Sequence, residues 1–452
     1  MQESGCKMSI ENEDKSVEVP CGTKQTGETQ TMDWVERSVW TDRMLEALDK
    51  GVKGGVWFSL IDKVYRPKTL YAAWQTVKRN GGSAGTDHEN VERFEQKLEE
   101  NINKLSEELR MDTYQPRPIK RTYIDKPGSR EKRPLGIPTV RDRIVQSAIR
   151  LVIEPIFERQ FRPSSYGFRP DRGCKDALRE VEKKLKAGYT HVVDADLKDY
   201  FDSIPHSRLM QDVQRYIADG RLLKLIESFL KQDVLDGLAK WTPETGTPQG
   251  AVISPLLANL YLHPVDQSME EAGFNMIRYA DDFVIMCKDE AEAKQALCKV
   301  TQLITERGLI LHPEKTRVVN TNEAGQGFDF LGYHFERGTR WPRKKSLKKF
   351  KDAIRSKTGR SNGHSLPDIA ANLNRTLKGW FEYFKHSNKR TFPKLDGWIR
   401  RRLRSILRKR SKRVKGISGK MDHFRWPNKF FQELGLFSLK DAHALLLQSS
   451  RR

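Results

Sequence analysis

Apolar residues in the last quarter of the chain recur at the three- and four-residue spacing of α-helices. One predicted helix face runs along Ile369, Leu373, Leu377, Trp380, Phe381 and Phe384. A second runs along Leu395, Trp398, Ile399, Leu403, Ile406 and Leu407. Residues 341–450 are therefore predicted to form an all-α domain.

Before residue 341, strand patterns interleave with helix patterns. The segment His191–Leu197 (HVVDADL) is typical of a central strand that ends in acidic residues. Two further strand patterns, 276–279 and 283–286, flank Ala280-Asp281-Asp282 and predict a hairpin with carboxylates at its tip. Helical patterns fill the intervening segments. We predict an α+β core with an antiparallel sheet, in which hairpins rather than βαβ crossovers carry the acidic tips.

The N-terminal third divides by composition. Residues 1–32 are polar and predicted to be a disordered tail. Residues 33–110 show short helical patterns, among them a charged amphipathic helix over 91–109. Alternation and a Pro-Gly turn then predict a basic β-hairpin between Tyr114 and Pro138, at the start of a core domain over 111–340.

Charge is distributed very unevenly along the 452 residues, whose formal net charge is +22. Residues 341–452 hold 31 Lys/Arg and 7 Asp/Glu, a net of +24, which leaves a net of −2 for residues 1–340. A near-neutral body joined to a cationic appendix fits a catalytic core with a polyanion-binding domain. The simpler alternative is a solvated lysine-rich tail, but the region carries apolar helical faces.

Several protein classes are disfavoured by the sequence. No apolar run approaches the ~20 residues that cross a bilayer, and the first residues lack a signal-peptide pattern. The five cysteines are scattered without a Cys-x-x-Cys pair, which argues against a disulfide framework or a zinc ribbon. We expect a soluble, cytoplasmic protein without a membrane partner, associated with the nucleoid or with ribonucleoprotein.

Three acidic residues suggest chemistry: Asp196 at a strand end, and Asp281 with Asp282 at a hairpin tip. If the two strands are neighbours, the carboxylates converge and repel one another unless cations lie between them. Oxygen ligands without His or Cys favour Mg²⁺ or Mn²⁺, and two such ions can carry out phosphoryl transfer. Taken alone, an Asp-Asp pair at a turn is more often a solvated turn.

The surroundings of these carboxylates resemble the reverse transcriptases encoded by group II introns. The motifs that resemble the family, in chain order, are NGGSAGTD at 80–87, RPLGIP at 133–138, SYGFRP at 165–170, DLKDYFD at 196–202, GTPQGAVISPLLAN at 246–259, YADD at 279–282, LILHPEK at 309–315 and FDFLG at 328–332. Residues 377–402 and 426–439 resemble its maturase domain. The resemblance implies a right-hand polymerase with fingers and palm before residue 340 and a helical thumb and maturase domain after it.

The same resemblance implies roles for individual residues. Asp196, Asp281, Asp282 and the backbone carbonyl of Leu197 would hold two Mg²⁺ ions. Lys315 would protonate the pyrophosphate leaving group, although a surface lysine is an equal alternative. The implied dNTP-binding residues are Lys126, Arg133, Phe201, Gln249 and Gly250, with Phe201 excluding a ribose 2′-hydroxyl. Within the basic hairpin, Arg130 and Lys132 compete with Arg133 for contact with the triphosphate.

The basic C-terminal helices are expected to bind RNA phosphates. The cations assigned to this surface are Arg400, Arg401, Arg402, Arg404, Arg408, Lys409 and Arg410. A basic amphipathic helix could also lie on a membrane or bind calmodulin. The resemblance favours RNA, and it implies intron RNA or another RNA template and a DNA primer or target as partners, while the oligomeric state stays open.

Two departures from the family pattern bear on function. Ala251 stands where many members have glycine, and no Cys-pair or His-Asn-His nuclease motif follows the maturase motifs. We therefore expect the form that lacks the C-terminal endonuclease module. Two alternatives remain: an intron-free relative used in DNA repair or phage defence, and a splicing cofactor that binds RNA without polymerising.

Overall fold

A computed structural model describes residues 33–125, 132–411 and 421–449. The described residues from Glu36 onward belong to one compact unit. The tail predicted over residues 1–32 lies outside the described residues. The helices in the described ranges are α1 Asp42–Lys50, α2 Ile61–Val64, α3 Pro67–Asn80, α4 Val91–Glu95, α5 Leu98–Arg110, α6 Val140–Glu158, α7 Cys174–Lys186, α8 Tyr200–Ser203, α9 His206–Gln214, α10 Gly220–Leu230, α11 Ser254–Glu271, α12 Glu290–Glu306, α13 Lys344–Lys357, α14 Leu366–Phe384, α15 Thr391–Arg410, α16 Asp422–Arg425, α17 Asn428–Glu433 and α18 Leu439–Ser449.

Three sheets hold the strands. The strands are β1 Ile119–Asp125, β2 Lys132–Ile137, β3 His191–Asp196, β4 Val234–Asp236, β5 Ala239–Trp241, β6 Asn275–Tyr279, β7 Asp282–Cys287, β8 Arg317–Asn320, β9 Phe328–Phe330, β10 Tyr333–Glu336 and β11 Thr339–Pro342. We call the sheet of order β6-β7-β3-β8 the central sheet, that of order β2-β1-β4-β5 the basic sheet, and that of order β11-β10-β9 the small sheet.

The central sheet is antiparallel throughout, so the predicted α+β class is confirmed. Its side chains alternate between two faces, and Val192, Ile277 and Val284 on one face pack against α7 and the small sheet. Helix α12 contacts β3, β7 and β8. Burial on both faces explains why β7 is a continuous apolar run after Asp282, whereas β3 alternates between apolar and acidic residues toward its end.

The basic sheet contains the predicted hairpin, β1 and β2, paired antiparallel from Lys120 with Ile137 to Asp125 with Lys132. A short parallel pairing of β1 with β4 was not predicted. The sheet meets the loop before α11 where the Gly136 N–H donates to the Gln249 carbonyl at 2.7 Å. Gly250 has φ +105°, and a Cβ there would lie 2.3 Å from the Gly136 carbonyl oxygen, so this junction requires glycine.

The C-terminal helices share a core. Both predicted helix faces are confirmed, since Leu373 and Leu377 of α14 and Ile399 and Leu403 of α15 are buried together. No helix in the described ranges is long and apolar enough to cross a membrane.

One predicted helix is wrong in its continuity. The pattern over 91–109 forms two helices, α4 and α5, because Lys97 takes a non-helical conformation (φ −125°, ψ 37°). The Asn101 side chain donates to the Phe94 carbonyl at 3.1 Å and so joins α5 to α4 across the break.

Candidate active site

Strands β3 and β7 bring the three predicted carboxylates to one end of the central sheet. Asp196, the last residue of β3, pairs in register with Asp282, the first residue of β7. Asp281 lies beside it in the two-residue turn between β6 and β7, where Ala280 takes a left-handed conformation with φ +59°. The strand adjacency assumed from the sequence is therefore present.

Burial and repulsion between the carboxylates raise the pKa values of Asp281 and Asp282. Burial, and then the charges of Asp194, Asp196 and Asp281, raise the pKa of Asp282 to about 7. Burial and the charge of Asp196 also raise the pKa of Asp281. A bound cation would relieve this repulsion and favour the ionised carboxylates.

The donor set suits a hard divalent cation, because it consists of carboxylate oxygens without His nitrogen or Cys sulfur. In the described parts of the chain no three His, Cys, Asp or Glu side chains already form a ready-made metal cluster. The Lys315 ammonium group instead contacts the Asp196 Oδ2 atom and supplies the positive charge there. The residues fit Mg²⁺ or Mn²⁺ by chemistry and charge.

Asp194 is a fourth carboxylate at this end of the sheet, and sequence reasoning missed it. It lies two residues before Asp196, so the two side chains share a face, and it pairs in register with Arg317 of β8. The Arg317 guanidinium reaches the Asp194 Oδ2 atom at 3.2 Å. Burial raises the pKa of Asp194 to about 6, while Arg317 acts in the opposite direction. The alternation in HVVDADL was the available signal.

Arg278, also missed, holds the hairpin from inside. Its side chain is fully buried, and its Nε atom donates to Asp266 Oδ1 at 2.7 Å. The remaining donors go to the second oxygen of Asp266, to Asn259 Oδ1 at 3.0 Å, to the Ala280 carbonyl at 2.9 Å and to Ser165 Oγ at 2.8 Å. All five N–H groups of the guanidinium are thus used. An arginine within an otherwise apolar strand was the signal in the sequence.

Gly167 brings the preceding loop against the same hairpin. A Cβ on Gly167 would lie 2.4 Å from the Ala280 backbone nitrogen, so no side chain fits there. The Asn259 side chain of α11 donates to the Gly167 carbonyl at 2.6 Å. The turn that carries Asp281 is therefore fixed from two sides.

The predicted nucleotide-binding residues Phe201, Gln249 and Gly250 come together where the segment after β3 meets the loop before α11. The Thr247 N–H donates to the Phe201 carbonyl at 2.6 Å, and Gln249 Nε2 donates to Asp202 Oδ2 at 3.2 Å. The Phe201 residue is partly exposed, and its ring meets the Tyr200 ring edge-on with the centroids 5.4 Å apart. Gly250 makes its close approach to the backbone of β2.

The basic hairpin is described on both strands but not at its turn. Lys126 lies outside the described residues, as does Arg130, one of the competing cations. Arg133 is exposed on β2, and its charge acts to lower the pKa of Asp281, which places the guanidinium near the carboxylates. Among the cations predicted for this hairpin, Arg133 is thus the one with a described link to the site.

Two family models match consecutive parts of this chain. The one described as Reverse transcriptase (RNA-dependent DNA polymerase) covers residues 124–335, and the one described as Group II intron, maturase-specific domain covers residues 347–426. Protein YkfC of Escherichia coli (strain K12) is 33% identical over an alignment of 320 positions, which covers 62% of this chain and 83% of that protein. The chain belongs to the group II intron type of reverse transcriptase.

Other relatives of this reverse transcriptase family match over shorter stretches. Group II intron-encoded protein LtrA of Lactococcus lactis subsp. cremoris is 39% identical over 204 residues, 45% of this chain. That match spans only 33% of the LtrA length. A solved chain of a partial Cas6-RT-Cas1–Cas2 complex is 27% identical, covering 55% of this chain and 42% of that chain with a TM-score of 0.36. The reverse transcriptase fold assignment therefore rests on the family match and the sheet topology.

The maturase-type helices carry one predicted surface cation that is wrongly assigned. Arg404 is only 2% exposed, because its guanidinium donates to the Trp426 carbonyl at 2.9 Å and to Asn428 Oδ1 at 3.0 Å. It joins α15 to the segment that follows, instead of facing solvent. Arg408 also contacts a buried partner, Asp422.

The other cations predicted on α15 differ in their availability. Arg402 donates to Thr358 Oγ1 at 2.6 Å, Lys409 approaches Ser361, and Arg410 donates to the Asn362 carbonyl at 3.0 Å. Arg401 is exposed and Arg400 is half-buried. Three cations gather around the Trp398 ring within 6 Å, namely Lys351, Arg355 and Arg402. The cationic surface is thus shared between α13 and α15.

Proposed function

We propose that this protein is an RNA-directed DNA polymerase that extends a primer 3′-hydroxyl with dNTPs on an RNA template. One observation carries the proposal: Asp196 and Asp282 face each other across β3 and β7, with Asp281 beside them, in a chain of the reverse transcriptase family. The fingers and palm would occupy residues 111–340, after an N-terminal extension over 33–110.

The metal ligands in this proposal are Asp196, Asp281, Asp282 and the Leu197 carbonyl. Two Mg²⁺ ions, or Mn²⁺, would activate the primer hydroxyl and stabilise the leaving oxygen. Arg278 keeps Asp281 in place through the Ala280 carbonyl. Since the pKa values of Asp281 and Asp282 are raised, a bound cation would favour their ionised forms.

The remaining site residues act on the nucleotide. Lys315 holds a proton close to Asp196 and would deliver it to the pyrophosphate leaving group. Phe201 occupies the space that a ribose 2′-hydroxyl needs, and Gln249 with Gly250 forms the floor of the pocket. Arg133 and Lys126 bind the triphosphate by charge-assisted hydrogen bonds.

The maturase-specific match supports a second role, binding of group II intron RNA during splicing and mobility. The thumb and maturase domain would occupy residues 341–450. Its exposed cations suit RNA phosphates, whose contacts are strongly salt-dependent. The DNA target would then serve as primer for copying the intron.

Primer extension tests the polymerase. A DNA primer annealed to an RNA template is incubated with dNTPs and Mg²⁺, using wild type, Asp281→Ala and the control Glu100→Ala on the surface of α5. We expect extension by wild type and control and a loss of about 10³-fold or more in Asp281→Ala, since metal-assisted charge stabilisation contributes several kcal/mol. Extension by all three proteins would contradict the assignment.

Intron binding is tested separately. A group II intron RNA is spliced in vitro at a Mg²⁺ concentration too low for efficient self-splicing, with and without the protein. Asp281→Ala should promote splicing as well as wild type does, because RNA binding does not require polymerisation. Tight RNA binding without any extension by wild type would favour the non-polymerising splicing cofactor.

A further inference from the structure

The loop that joins α13 to α14, residues 358–365, borders an open cavity. Its residues belong neither to the carboxylate cluster nor to the predicted nucleotide-binding set. The volume of about 470 Å³ lies within the range of about 300–1,000 Å³ that is typical of ligand sites. Polar side chains form the walls, namely Lys357, Arg360, Ser361, Asn362, His364 and Asn372. A ligand there would be held by charge and hydrogen bonds instead of apolar contact.

Side chains of α15 fix this loop in place. Arg402 Nε donates to Thr358 Oγ1 at 2.6 Å. Arg410 donates to the Asn362 carbonyl at 3.0 Å and to the His364 carbonyl at 2.5 Å. Because these bonds hold the loop at both ends, the cavity is formed before a ligand binds, which lowers the entropic cost of binding.

Like charges gather around the cavity. Burial, and then the charge of Arg375, lower the pKa of Lys357. Burial, and then the charges of Arg355 and Arg360, lower the pKa of Arg402. Cations placed this close repel one another, and a bound anion would relieve the repulsion.

Two of these arginines have no partner in the described parts of the chain. Arg360 and Arg375 are exposed, and their guanidinium groups make neither a hydrogen bond nor an ion pair there. Arg355, by contrast, contacts Asp352 Oδ1 at 2.5 Å. A planar guanidinium without a carboxylate can bind a phosphate through two parallel hydrogen bonds. The edge of the cavity therefore has donors available for a phosphate group.

The cavity also presents neutral hydrogen-bonding groups. Asn372 Oδ1 accepts from Lys357 Nζ at 2.7 Å, which orients the amide, and the amide N–H groups have no acceptor among the described residues. The His364 ring nitrogens have no hydrogen-bond partner in the same ranges. A phosphate alone needs only the cations, whereas an amide and an imidazole can also bind the edge of an unpaired base.

A ligand that combines a phosphate with a hydrogen-bonding heterocycle is a nucleotide. The cavity lies within residues 347–426, the part of the chain that matches the maturase-specific domain. Bases inside a helix are stacked and their pairing edges are occupied, so that only a nucleotide turned out of a bulge or loop can enter a cavity of this kind.

We infer that the cavity beside the α13–α14 loop binds one extruded nucleotide of an RNA, with its phosphate against Lys357 and Arg360 and its base against His364 and Asn372. The inference rests on the RNA-binding role proposed above. It adds to the salt-dependent phosphate contacts a site that distinguishes an unpaired nucleotide from a paired one.

Equilibrium binding of RNA duplexes to the full-length protein tests this inference. One fluorescein-labelled duplex is blunt and fully paired, and four others carry a single bulged A, C, G or U at its centre. No dNTP is present. We expect wild type to bind at least one bulged duplex about tenfold or more tightly than the paired one, the effect of about two hydrogen bonds. Asn372→Ala should remove this preference and leave the affinity for the paired duplex unchanged.

Two further variants separate the base contacts from charge and from folding. Arg360→Gln should reduce the slope of log affinity against log salt by about 1 for the preferred bulged duplex and not for the paired duplex. Gln302→Ala removes an exposed amide from α12, where it donates to Glu306 Oε1 at 2.7 Å, and should leave all affinities unchanged. Asn372 is itself exposed on α14, and alanine is favourable within a helix, so Asn372→Ala should fold as wild type does.

Three results would overturn the inference while leaving the RNA-binding role intact. These are equal affinities of wild type for all five duplexes, a bulge preference that survives in Asn372→Ala, and a loss in Asn372→Ala that is equally large on the paired duplex. Failure of wild type to bind any of the duplexes would contradict the RNA-binding role together with the inference. Because no step requires polymerisation, the outcome does not depend on whether the protein extends a primer.

Discussion

At the scale of single residues, the site depends on groups that take no part in the chemistry. Arg278 satisfies all five donors inside the protein and connects α11, the loop before α7 and the turn that carries Asp281. A lysine there would keep the charge but could not reach four partners, because it has one nitrogen at the end of a flexible stem.

Two substitutions of Arg278 should separate its role in positioning the hairpin from its contribution to the stability of the fold. Arg278→Met leaves the Asp266 carboxylate buried without a partner and should cost about 3–5 kcal/mol in the free energy of unfolding. Arg278→Lys should cost less stability but still slow primer extension by about 10- to 100-fold, because the Ala280 carbonyl loses its donor. Urea unfolding and single-turnover extension measure the two effects.

Arg215→Lys is the matched control for the two Arg278 variants, because the Arg215 side chain is 62% exposed. It should change neither measurement. Wild-type extension rates in Arg278→Lys would show that Arg278 contributes to the fold without positioning the hairpin.

The sequence predicted the carboxylates but could not predict Arg278 or Asp194. Asp281 and Asp282 stand out because a turn interrupts an apolar pattern, whereas Arg278 lies inside a strand where only the packed structure reveals its partners. The prediction that Arg404 lies on the surface was wrong for a different reason. Its helix is rich in arginine, and sequence periodicity did not show that the Trp426 segment covers this position.

At the scale of elements, the turn between β6 and β7 is fixed by close backbone packing. Gly167 lies against Ala280, whose left-handed conformation is part of the tight turn that joins β6 to β7. The alternation around YADD predicted this hairpin. The break between α4 and α5 was not predictable in the same way, because the apolar spacing continues across it and a side chain beyond the break, Asn101, stabilises it.

Gly167→Ala should displace the hairpin. The added methyl would meet the Ala280 backbone nitrogen at 2.4 Å, and overpacking of this kind typically costs about 1–3 kcal/mol. Primer extension should fall by more than the decrease in stability explains. The control Gly379→Ala, inside α14 with open space around it, should retain full activity and be slightly more stable. Full activity in Gly167→Ala would show that the hairpin tolerates the displacement.

A histidine of the small sheet, His334, should make the free energy of unfolding depend on pH. His334 Nδ1 lies 2.7 Å from Asp329 Oδ1, and that hydrogen bond is the main cause that raises the pKa of His334. A group with a raised pKa stabilises the fold fully below its unfolded pKa of about 6.5, and the stabilisation is lost as pH rises through the folded pKa. The free energy of unfolding should therefore decrease above a pH of about 6.5.

His334→Gln should remove this part of the pH dependence, as measured by urea unfolding at several pH values on both sides of the ordinary histidine pKa. The exposed His423 provides the control, and His423→Gln should leave the wild-type profile intact. An identical pH profile in His334→Gln and wild type would contradict the role given to the Asp329 pair.

At the scale of the whole molecule, charge is distributed unevenly: the catalytic part is nearly neutral, and the C-terminal quarter is strongly basic. The described cations there do not all face solvent, since several hold the helices together, as Arg404 and Arg408 do. The cluster around Trp398 joins α13 to α15, and Arg355 within it is exposed.

The salt dependence of RNA affinity should show whether this cluster binds RNA phosphates. The affinity for intron RNA should fall steeply with salt, and the double variant Lys351→Gln/Arg355→Gln should reduce the slope of log affinity against log salt by about 1 for each RNA phosphate that the variant no longer neutralises. Lys183→Gln/Lys186→Gln on α7 removes the same charge from another exposed surface, and its slope should match wild type. Equal slopes in both double variants would place RNA binding elsewhere.

The most direct measurement is the single-turnover rate of adding one dNTP to a DNA primer on an RNA template by wild type and Asp196→Asn. Asparagine preserves the shape of Asp196 but removes the charge that faces Asp282 and Lys315. If the carboxylates of β3 and the hairpin form one phosphoryl-transfer site, the rate should fall by about 10³-fold or more while primer–template affinity is retained. A rate within about tenfold of wild type, a barrier change of no more than about 1.4 kcal/mol, would show that the chemistry does not depend on this cluster.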